Sequence, residues 1–287
     1  MLIAKTPYRL SLFGGGSDSR KELDSNGHYV LNVAINQYSY CMVRLLPDFF
    51  EKKHRFIYSK VEELNSISES SHPVIRVIID FLKCKEPQGL EIMHSGDLPS
   101  RSGIGSSSSF TVGLLNVLSS LLKNESLSAK QLATGAIEIE RDMLLEGGGI
   151  QDQVCAAFGG VSLFQYSNQE GIIHKVPEYH NKLSKIIENN LYMGYVPTNR
   201  NSHEVISSIR KEASNNKLMK DLIHELSIVN QKSIHKIKSS ENIYTTICSG
   251  LNEASLLKHK ILELVNQSFP NEIQENLKVK PFDAFKF

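Results

Sequence analysis

The sequence contains Leu98-Pro-Ser-Arg-Ser-Gly-Ile-Gly-Ser-Ser-Ser-Ser-Phe110, a stretch that joins a predicted strand at Gly89–Met93 to an apolar, helical run at Thr111–Leu118. Small residues let backbone N–H groups converge on a bound anion, and the N-terminus of the following helix adds a favourable dipole. Four consecutive hydroxyls lie in the first helical turn, where one of them can reach a phosphate or a metal ion. Because the stretch leads directly into an amphipathic helix, it predicts a phosphate-binding loop rather than a flexible linker.

This loop belongs to neither of the two commonest nucleotide-binding types. No lysine follows its glycines, as a Walker A loop requires. Ser108 stands where the dinucleotide-binding fingerprint has its third glycine. The loop therefore indicates phosphate binding without naming the ligand.

A second glycine-rich segment, Gly147-Gly-Gly-Ile-Gln-Asp-Gln153, presents one carboxylate beside two amides. In a phosphotransferase, a lone aspartate such as Asp152 can accept the proton of the substrate hydroxyl or orient that hydroxyl. A helix-capping role for Asp152 suits the same segment, and the local sequence favours neither interpretation.

Two glutamates, Glu138 and Glu140, lie on the predicted helix Ala129–Glu146 just before that segment. Residues two apart face different sides of a helix, so only one of the two can point at the loop. A carboxylate near a phosphate site typically holds Mg²⁺. Taken alone, however, the pattern favours solvated surface charges.

The N-terminal segment Pro7-Tyr-Arg-Leu-Ser-Leu-Phe-Gly-Gly-Gly-Ser-Asp18 is a predicted strand that ends in glycines. It places the short carboxylate of Asp18 where it could bind a sugar hydroxyl. An ordinary turn is the alternative, because Gly-Gly-Ser-Asp is common turn chemistry.

Composition excludes several classes of protein. The chain has 287 residues, 40% of them hydrophobic, and 32 basic against 31 acidic side chains. This balance indicates an ordered protein of one or two domains with no nucleic-acid or anionic-membrane partner. No apolar run approaches the about 18 residues of a membrane span. With four scattered cysteines, expected to be buried thiols, and no secretory signal at the N-terminus, we predict a soluble, cytoplasmic protein.

Strand patterns dominate the first part of the chain, and helical patterns follow from about residue 202. We expect two strands within 28–45 with a bend near Asn36, a hairpin around Ser167-Asn168, and helices at Ser202–Ala213, Lys217–Ile237 and Glu241–Val265. The pattern predicts an N-terminal domain over 1–180 and a helix-rich C-terminal domain over 181–287.

The order of these motifs resembles the GHMP family of small-molecule kinases, which includes galactokinase, homoserine kinase and mevalonate kinase. Pro7–Asp18 resembles the family's first motif, Pro99–Ser107 its phosphate-binding motif, and Gly149–Gln153 the Gly-x-x-Asp-Gln loop of its sugar kinases. The triple-glycine and four-serine variants look most like the D-glycero-D-manno-heptose 7-phosphate kinase branch. The resemblance covers about residues 1–165 and continues more weakly to 265.

The resemblance implies an α+β, two-domain fold with its active site in the interdomain cleft, and an enzyme that uses ATP and Mg²⁺. It implies phosphorylation of a sugar or sugar phosphate, with heptose 7-phosphate at the anomeric hydroxyl as the leading substrate. Two alternatives stay open: a kinase of another sugar, such as galactose or fucose, and a non-catalytic nucleotide- or sugar-phosphate-binding protein. The expected partner is a small molecule, and the expected state is a monomer or a homodimer.

The resemblance also implies roles for individual residues. Asp152 and Arg9 fall on catalytic positions, and Ser107 and Glu140 fall on or next to the metal ligands, with Ser106 or Ser108 as alternatives to Ser107. The nucleotide-binding set is Pro99, Arg101, Ser102, Gly103, Ile104, Gly105, Ser106, Ser107 and Ser108, where Arg101 is included for its charge. The substrate set is Gly15, Gly16, Ser17, Asp18 and Gln151.

One family feature is missing. The third family motif is a glycine-rich loop near the C-terminus, whereas Gly250 is the last glycine of this chain. We therefore expect an incomplete C-terminal part, truncated before that motif. The expectation leaves the activity of the chain open between a fragment, a frameshifted product and a kinase-like protein without activity.

Overall fold

The computed structural model describes residues 1–100, 102–193, 202–265 and 285–286. Contacts within the chain divide it into two compact units. The first unit comprises Met1–Arg9, Ala34–Glu146 and Asp152–Gly159, and the second comprises Leu10–Val33, Gly147–Gln151 and Gly160–Phe287. Neither unit is one continuous segment, and the predicted boundary between residues 180 and 181 stays a prediction.

The first unit contains a sheet with helices packed against it. Its strands are the first part of β1 (Leu2–Phe13), residues 34–45 of β2 (Val30–Leu45), β3 (His54–Ile57), β4 (Val61–Leu64) and β5 (Leu90–Gly96). Strand β5 pairs antiparallel with β2 and parallel with β3, and β3 also pairs with β4. The helices are α2 (Pro73–Phe81), α3 (Ser106–Lys123), α4 (Ala129–Ile137) and α5 (Gln151–Phe158).

The core of this unit forms where the apolar stripes of the helices meet the sheet. Phe56 and Leu90 from the strands, Ile78 from α2, and Leu114 and Leu118 from α3 are fully buried in one cluster. Helix α2 begins at Pro73, as predicted, because proline at the first helical position has a preset φ and needs no hydrogen bond from its nitrogen. The core thus fixes the start of α3 directly after the glycine loop.

The second unit combines a small sheet with long helices. Residues 30–33 of β2 pair with β6 (Val161–Ser167), which forms the predicted hairpin with β7 (Gly171–Lys175). The helices are α1 (Arg20–Asn26), α6 (His180–Asn190), α7 (Ser202–Asn215), α8 (Lys217–Ser239) and α9 (Ile243–Leu264). Strand β8 (Tyr192–Met193) pairs with β9 (Phe285–Lys286). Phe13, Leu31, Leu183, Ile234 and Ile247 lie in its largest core cluster.

One prediction of secondary structure is wrong, and a second is confirmed in extent but not in helix type. The segment 28–45 contains one 16-residue strand, β2, and not two, because Asn36 faces solvent and neither Gly nor Pro interrupts the strand. The predicted helix Ala129–Glu146 changes at its middle into a π-helix, Glu138–Met143. A π-turn inserts one residue into the helical repeat and thereby changes which side chains face inward.

Other predictions of the fold are confirmed. The protein is α+β, and α7, α8 and α9 match the three predicted helices to within a few residues. Cys41 and Cys155 are buried, Cys84 and Cys248 are half-buried, and all are free thiols. None of the helices in the described part of the chain is both long and apolar enough to span a membrane. The expected truncation before the third family motif stays a prediction.

Candidate active site

Arg9 and Asp152 form an ion pair in the first unit. Arg9 lies in β1, and its Nε and Nη2 each lie 2.7 Å from Oδ1 of Asp152, in the first turn of α5. The Nη1 group of Arg9 donates to the carbonyl of Gly103 at 3.0 Å, and its backbone N–H donates to the carbonyl of Ile104 at 3.1 Å. Arg9 thus joins Asp152 to the glycine loop, while the Asp152 side chain stays 24% exposed.

The glycine loop has the backbone conformation that its residues predict. Gly103 and Gly105 have φ angles of +75° and +76°, which glycine adopts at no steric cost. A β-carbon on Gly105 would lie 3.3 Å from both Arg9 and Asp152. Helix α3 begins at the next residue, Ser106. The geometry therefore puts a helix N-terminus beside the Arg9–Asp152 pair.

The loop residues before Gly103 are only partly described. The Ser102 hydroxyl donates to the carbonyl of Pro99 at 2.8 Å, which closes the turn that leads into the loop. Arg101 lies outside the described residues, so its assignment to nucleotide binding stays a prediction.

The four serines after Gly105 have different environments. Ser106 is half-buried and Ser107 is exposed. The buried Ser108 donates its hydroxyl to Oε2 of Glu140 at 2.9 Å, and Ser109 donates to the carbonyl of Pro7 at 2.8 Å. The structure thus brings Ser108 against Glu140, and the metal-binding role of Ser107 stays a prediction.

Glu140 is 1% exposed, so the sequence-based preference for a solvated surface pair is wrong for this residue. Its Oε2 accepts hydrogen bonds from Ser108 and, at 2.5 Å, from Nε2 of Gln153, and it lies 3.6 Å from the Arg141 guanidinium. Its Oε1 is buried and has no hydrogen-bond partner within the described residues. Burial raises the pKa of the Glu140 carboxyl, although the charge of Arg141 and the hydrogen bond from Ser108 oppose the rise.

These residues fit a magnesium ion. An unpartnered, buried carboxylate oxygen close to a hydroxyl is the hard oxygen donor that Mg²⁺ prefers. Mg²⁺ in kinases is held by one or two carboxylates together with substrate phosphates, and not by a cage of protein ligands. The described residues accordingly contain no cluster of three or more His, Cys, Asp or Glu that could hold a metal alone.

Asp18 is the centre of a separate cluster, in the second unit. Its carboxylate is 5% exposed and accepts backbone N–H groups from Gly16 and Gln151, each at 3.1 Å. Its backbone carbonyl accepts the N–H of Ile150 at 3.1 Å. A β-carbon on Gly149 would overlap the Asp18 carboxylate, so glycine is required there.

Gln151 is held by two neighbours in the same unit. Its Oε1 accepts the hydroxyl of Ser11 at 2.7 Å, and its carbonyl accepts Nδ2 of Asn32 at 3.3 Å. Gly15 packs against the same amide, since a β-carbon there would lie 2.9 Å from Nε2 of Gln151. The buried Ser17 instead turns to the carbonyl of Gly14, at 3.3 Å. Four of the five predicted substrate residues therefore lie around Asp18 or Gln151.

The sequence analysis missed several residues that hold these groups. Ser11 and Asn32 are polar residues with an apolar neighbour on each side in their strands, a signal that could have identified them. Gln153 follows Asp152 directly but was not assigned a role. Arg210 donates to the carbonyl of Gly148 at 2.8 Å, and nothing in its local sequence indicates this long-range contact.

Residues 72–160 match the family model of the GHMP kinases N terminal domain. The chain is similar to the GHMP kinases over these residues. This match contains the glycine loop, Glu140 and Asp152. The resemblance inferred from the motifs is confirmed at this level.

Three known proteins show how far the likeness to GHMP kinases extends along the chain. A D-glycero-alpha-D-manno-heptose 7-phosphate kinase from Campylobacter jejuni is 33% identical over 178 residues, which are 59% of this chain and 52% of that protein. A galactokinase from Pyrococcus furiosus is 25% identical over 236 residues, 77% of this chain and 64% of that protein. The matched region thus spans between half and two thirds of these relatives.

The solved structures confirm the fold. The crystal structure of a D-glycero-D-manno-heptose 1-phosphate kinase from Bacteroides thetaiotaomicron superimposes with a TM-score of 0.63 and 22% identity. The superposition covers 98% of this chain and 81% of that one. Because the identity is low, this likeness supports the fold of the GHMP kinases and not a particular substrate.

Proposed function

We propose that this protein transfers the γ-phosphate of ATP to a hydroxyl of a sugar or sugar phosphate. The observation that carries the proposal is the fork of Arg9, which holds Asp152 with two nitrogens and the glycine loop with a third. Phosphoryl transfer needs a positioned hydroxyl and neutralisation of phosphate charge. The fixed Asp152 carboxylate can position the hydroxyl, and the helix N-terminus beside it can neutralise phosphate charge.

The glycine loop and α3 are the proposed site for the phosphates of ATP. Backbone N–H groups at the start of a helix are unpaired within that helix, and the helix dipole adds positive potential there. The start of α3 lies directly after Gly105, whose positive φ turns the chain into the helix. Glu140 and either Ser107 or Ser108 would hold Mg²⁺, which supplies charge neutralisation at the phosphates when bound.

Asp152 is proposed to align the acceptor hydroxyl. The two nitrogens of Arg9 that contact Asp152 at hydrogen-bond distance both lie against Oδ1, and the Asp152 side chain retains exposure. The remaining acceptor sites of the carboxylate can therefore receive a hydroxyl proton. The two contacts from Arg9 limit the rotation of this carboxylate.

Asp18 is proposed to bind hydroxyls of the sugar. The N–H groups of Gly16 and Gln151 hold the two oxygens of its carboxylate in place. A carboxylate with two fixed oxygens suits a polyol, whereas an isoprenoid alcohol offers no pair of hydroxyls. This assignment supports a sugar as the acceptor.

The leading substrate is D-glycero-D-manno-heptose 7-phosphate, phosphorylated at its anomeric hydroxyl. The 33% identical relative, named for that activity, and the triple-glycine and four-serine motifs support it. A hexose such as galactose is the second candidate, supported by the galactokinase relative. A cytoplasmic location and a monomeric or homodimeric state stay predictions.

The test is release of ADP from Mg²⁺-ATP with a panel of sugars and sugar phosphates, heptose 7-phosphate and galactose included. Asp152→Asn is assayed beside wild type, with Asp48→Asn, at an exposed turn position, as the matched control. We expect a substrate-dependent signal that Asp152→Asn loses and Asp48→Asn retains. Binding of ADP without turnover on any substrate would instead favour the non-catalytic alternative.

A further inference from the structure

Gln153 makes a contact that the proposed reaction does not by itself require. Its side chain is fully buried, and its Nε2 donates to Oε2 of Glu140 at 2.5 Å. The reversed amide would place its oxygen against the carboxylate, so electrostatics fixes the nitrogen on this side. The buried amide of Gln153 therefore donates to one particular oxygen of the Glu140 carboxylate.

The same oxygen of Glu140 also accepts the hydroxyl of Ser108. Two neutral donors therefore converge on Oε2, whereas Oε1 is buried with no hydrogen-bond partner in the described part of the chain. Two donors on one oxygen stop the carboxylate from rotating about its terminal bond. The unpartnered oxygen is thereby held in a fixed direction, which is what a metal ligand requires.

We propose that Gln153 is a positioning residue, which together with Ser108 orients Glu140 so that its Oε1 is free for Mg²⁺. The inference rests on the proposed function, since the metal is the one expected with ATP. Gln153 follows Asp152 in the first turn of α5. One helical turn therefore carries both the residue that orients the acceptor hydroxyl and the residue that orients the metal ligand.

The backbone supports the same interpretation. Glu138 and Glu140 both lie in the π-helix Glu138–Met143, but Glu138 is exposed and Glu140 is buried. The wider turn brings Glu140 inward, and the backbone N–H of Glu146 donates to the Glu140 carbonyl at 2.9 Å. Backbone and side-chain contacts together fix the position of this carboxylate.

The experiment measures the affinity for ADP by calorimetry with and without MgCl₂, in wild type and in Gln153→Met. Methionine has a similar length and no N–H donor. We expect the enhancement of ADP affinity by Mg²⁺ to fall about tenfold, the lower end of the loss typical for an outer partner of a metal ligand. The affinity for ADP without Mg²⁺ should stay unchanged.

Ser108→Ala removes the other donor and is expected to change the enhancement in the same direction. Its matched control is Ser119→Ala, on the same helix, because the buried Ser119 donates only to the carbonyl of Asn116 among the bonds recorded for its side chain. Ser108→Ala also carries the test if Gln153→Met does not fold. The control should keep the wild-type response to Mg²⁺.

Three results would overturn the inference. The first is a Mg²⁺ enhancement that both variants retain in full. The second is an equal loss of ADP affinity with and without Mg²⁺, which indicates a structural role alone. The third is wild-type protein whose ADP binding does not respond to Mg²⁺, and this result alone would remove the proposed function as well.

Discussion

Asp152 and Glu140 belong to the same compact unit, yet the protein surrounds them differently. Asp152 is a quarter exposed and pairs with the cation of Arg9, whereas Glu140 is buried and is held mainly by the neutral donors of Ser108 and Gln153. The Arg9 cation fixes the Asp152 carboxylate while that side chain keeps partial contact with water. The contacts of Glu140 are on Oε2, so a bound cation can contact the buried Oε1, which has no hydrogen-bond partner in the described residues. The difference suits Asp152 to the acceptor hydroxyl and Glu140 to the metal.

The largest expected effect is on turnover in Asp152→Asn. An amide cannot accept the hydroxyl proton, so kcat should fall by about 10²–10⁴-fold, the range typical of a lost acid–base group. The affinity for ADP in the presence of Mg²⁺ should stay near the wild-type value. Steady-state kinetics and calorimetry together check this, and full turnover in the variant would contradict the role of Asp152.

The complementary change is Glu140→Gln, which keeps the shape and removes the charge. We expect the Mg²⁺ enhancement of ADP affinity to fall by about 100-fold, the upper end of losses seen for metal-site partners. The concentration of Mg²⁺ at half-maximal activity should rise in parallel. Equal responses to Mg²⁺ in this variant and in Asp152→Asn would remove the distinction between the two carboxylates.

Arg9→Lys tests the partner of Asp152 without removing its charge. Lysine is a point charge and cannot contact Asp152 and the Gly103 carbonyl with the fixed fork of arginine. We expect kcat to fall about tenfold, less than the 10²-fold that a misplaced group can cost. The KM for ATP should change little. A variant with wild-type kcat would show that charge alone is sufficient.

The smallest expected effect concerns stability without Mg²⁺. The cost of burying the Glu140 charge outweighs its attraction to Arg141, since the pKa of this carboxyl is raised, and Arg141 also contacts Glu146. Glu140→Gln removes that buried charge, so the free energy of unfolding should rise by about 1 kcal/mol. Asp152→Asn leaves Arg9 without its carboxylate partner and should lower the free energy of unfolding by up to about 1 kcal/mol. Thermal unfolding should show shifts of roughly 2 °C in opposite directions. Shifts of the same sign would contradict the comparison.

Local chemistry made much of this site predictable. The strand–glycine–helix order predicted where α3 begins, and the motif order pointed to Arg9, Glu140 and Asp152 before any contact was known. The glycines at 103 and 105 have the positive φ angles that only their lack of a side chain makes inexpensive. Each of these signals depends on neighbouring residues in the chain.

The errors share a different cause. The continuous strand through Asn36 and the π-helix at Glu138–Met143 were not predicted, because their conformations depend on which face the rest of the protein covers. Likewise, choosing Ser108 over Ser107 as the contact of Glu140 depends on the rotation of α3 against the π-helix. A difference of one residue changes the facing direction by about 100° in a helix, and sequence patterns do not resolve that.

The amino-acid sequence was sufficient to indicate the glycine loops and the helix starts, because turns and apolar periodicity are local properties. The α+β fold class and the roles of the carboxylates followed from the resemblance of the motif order to the GHMP kinases. The pairing of Arg9 with Asp152, of Ser108 and Gln153 with Glu140, and of Arg210 with Gly148 came only from the folded chain. These partners lie between 13 and 143 residues apart in sequence. No local pattern specifies such contacts, because packing of whole elements brings the side chains together.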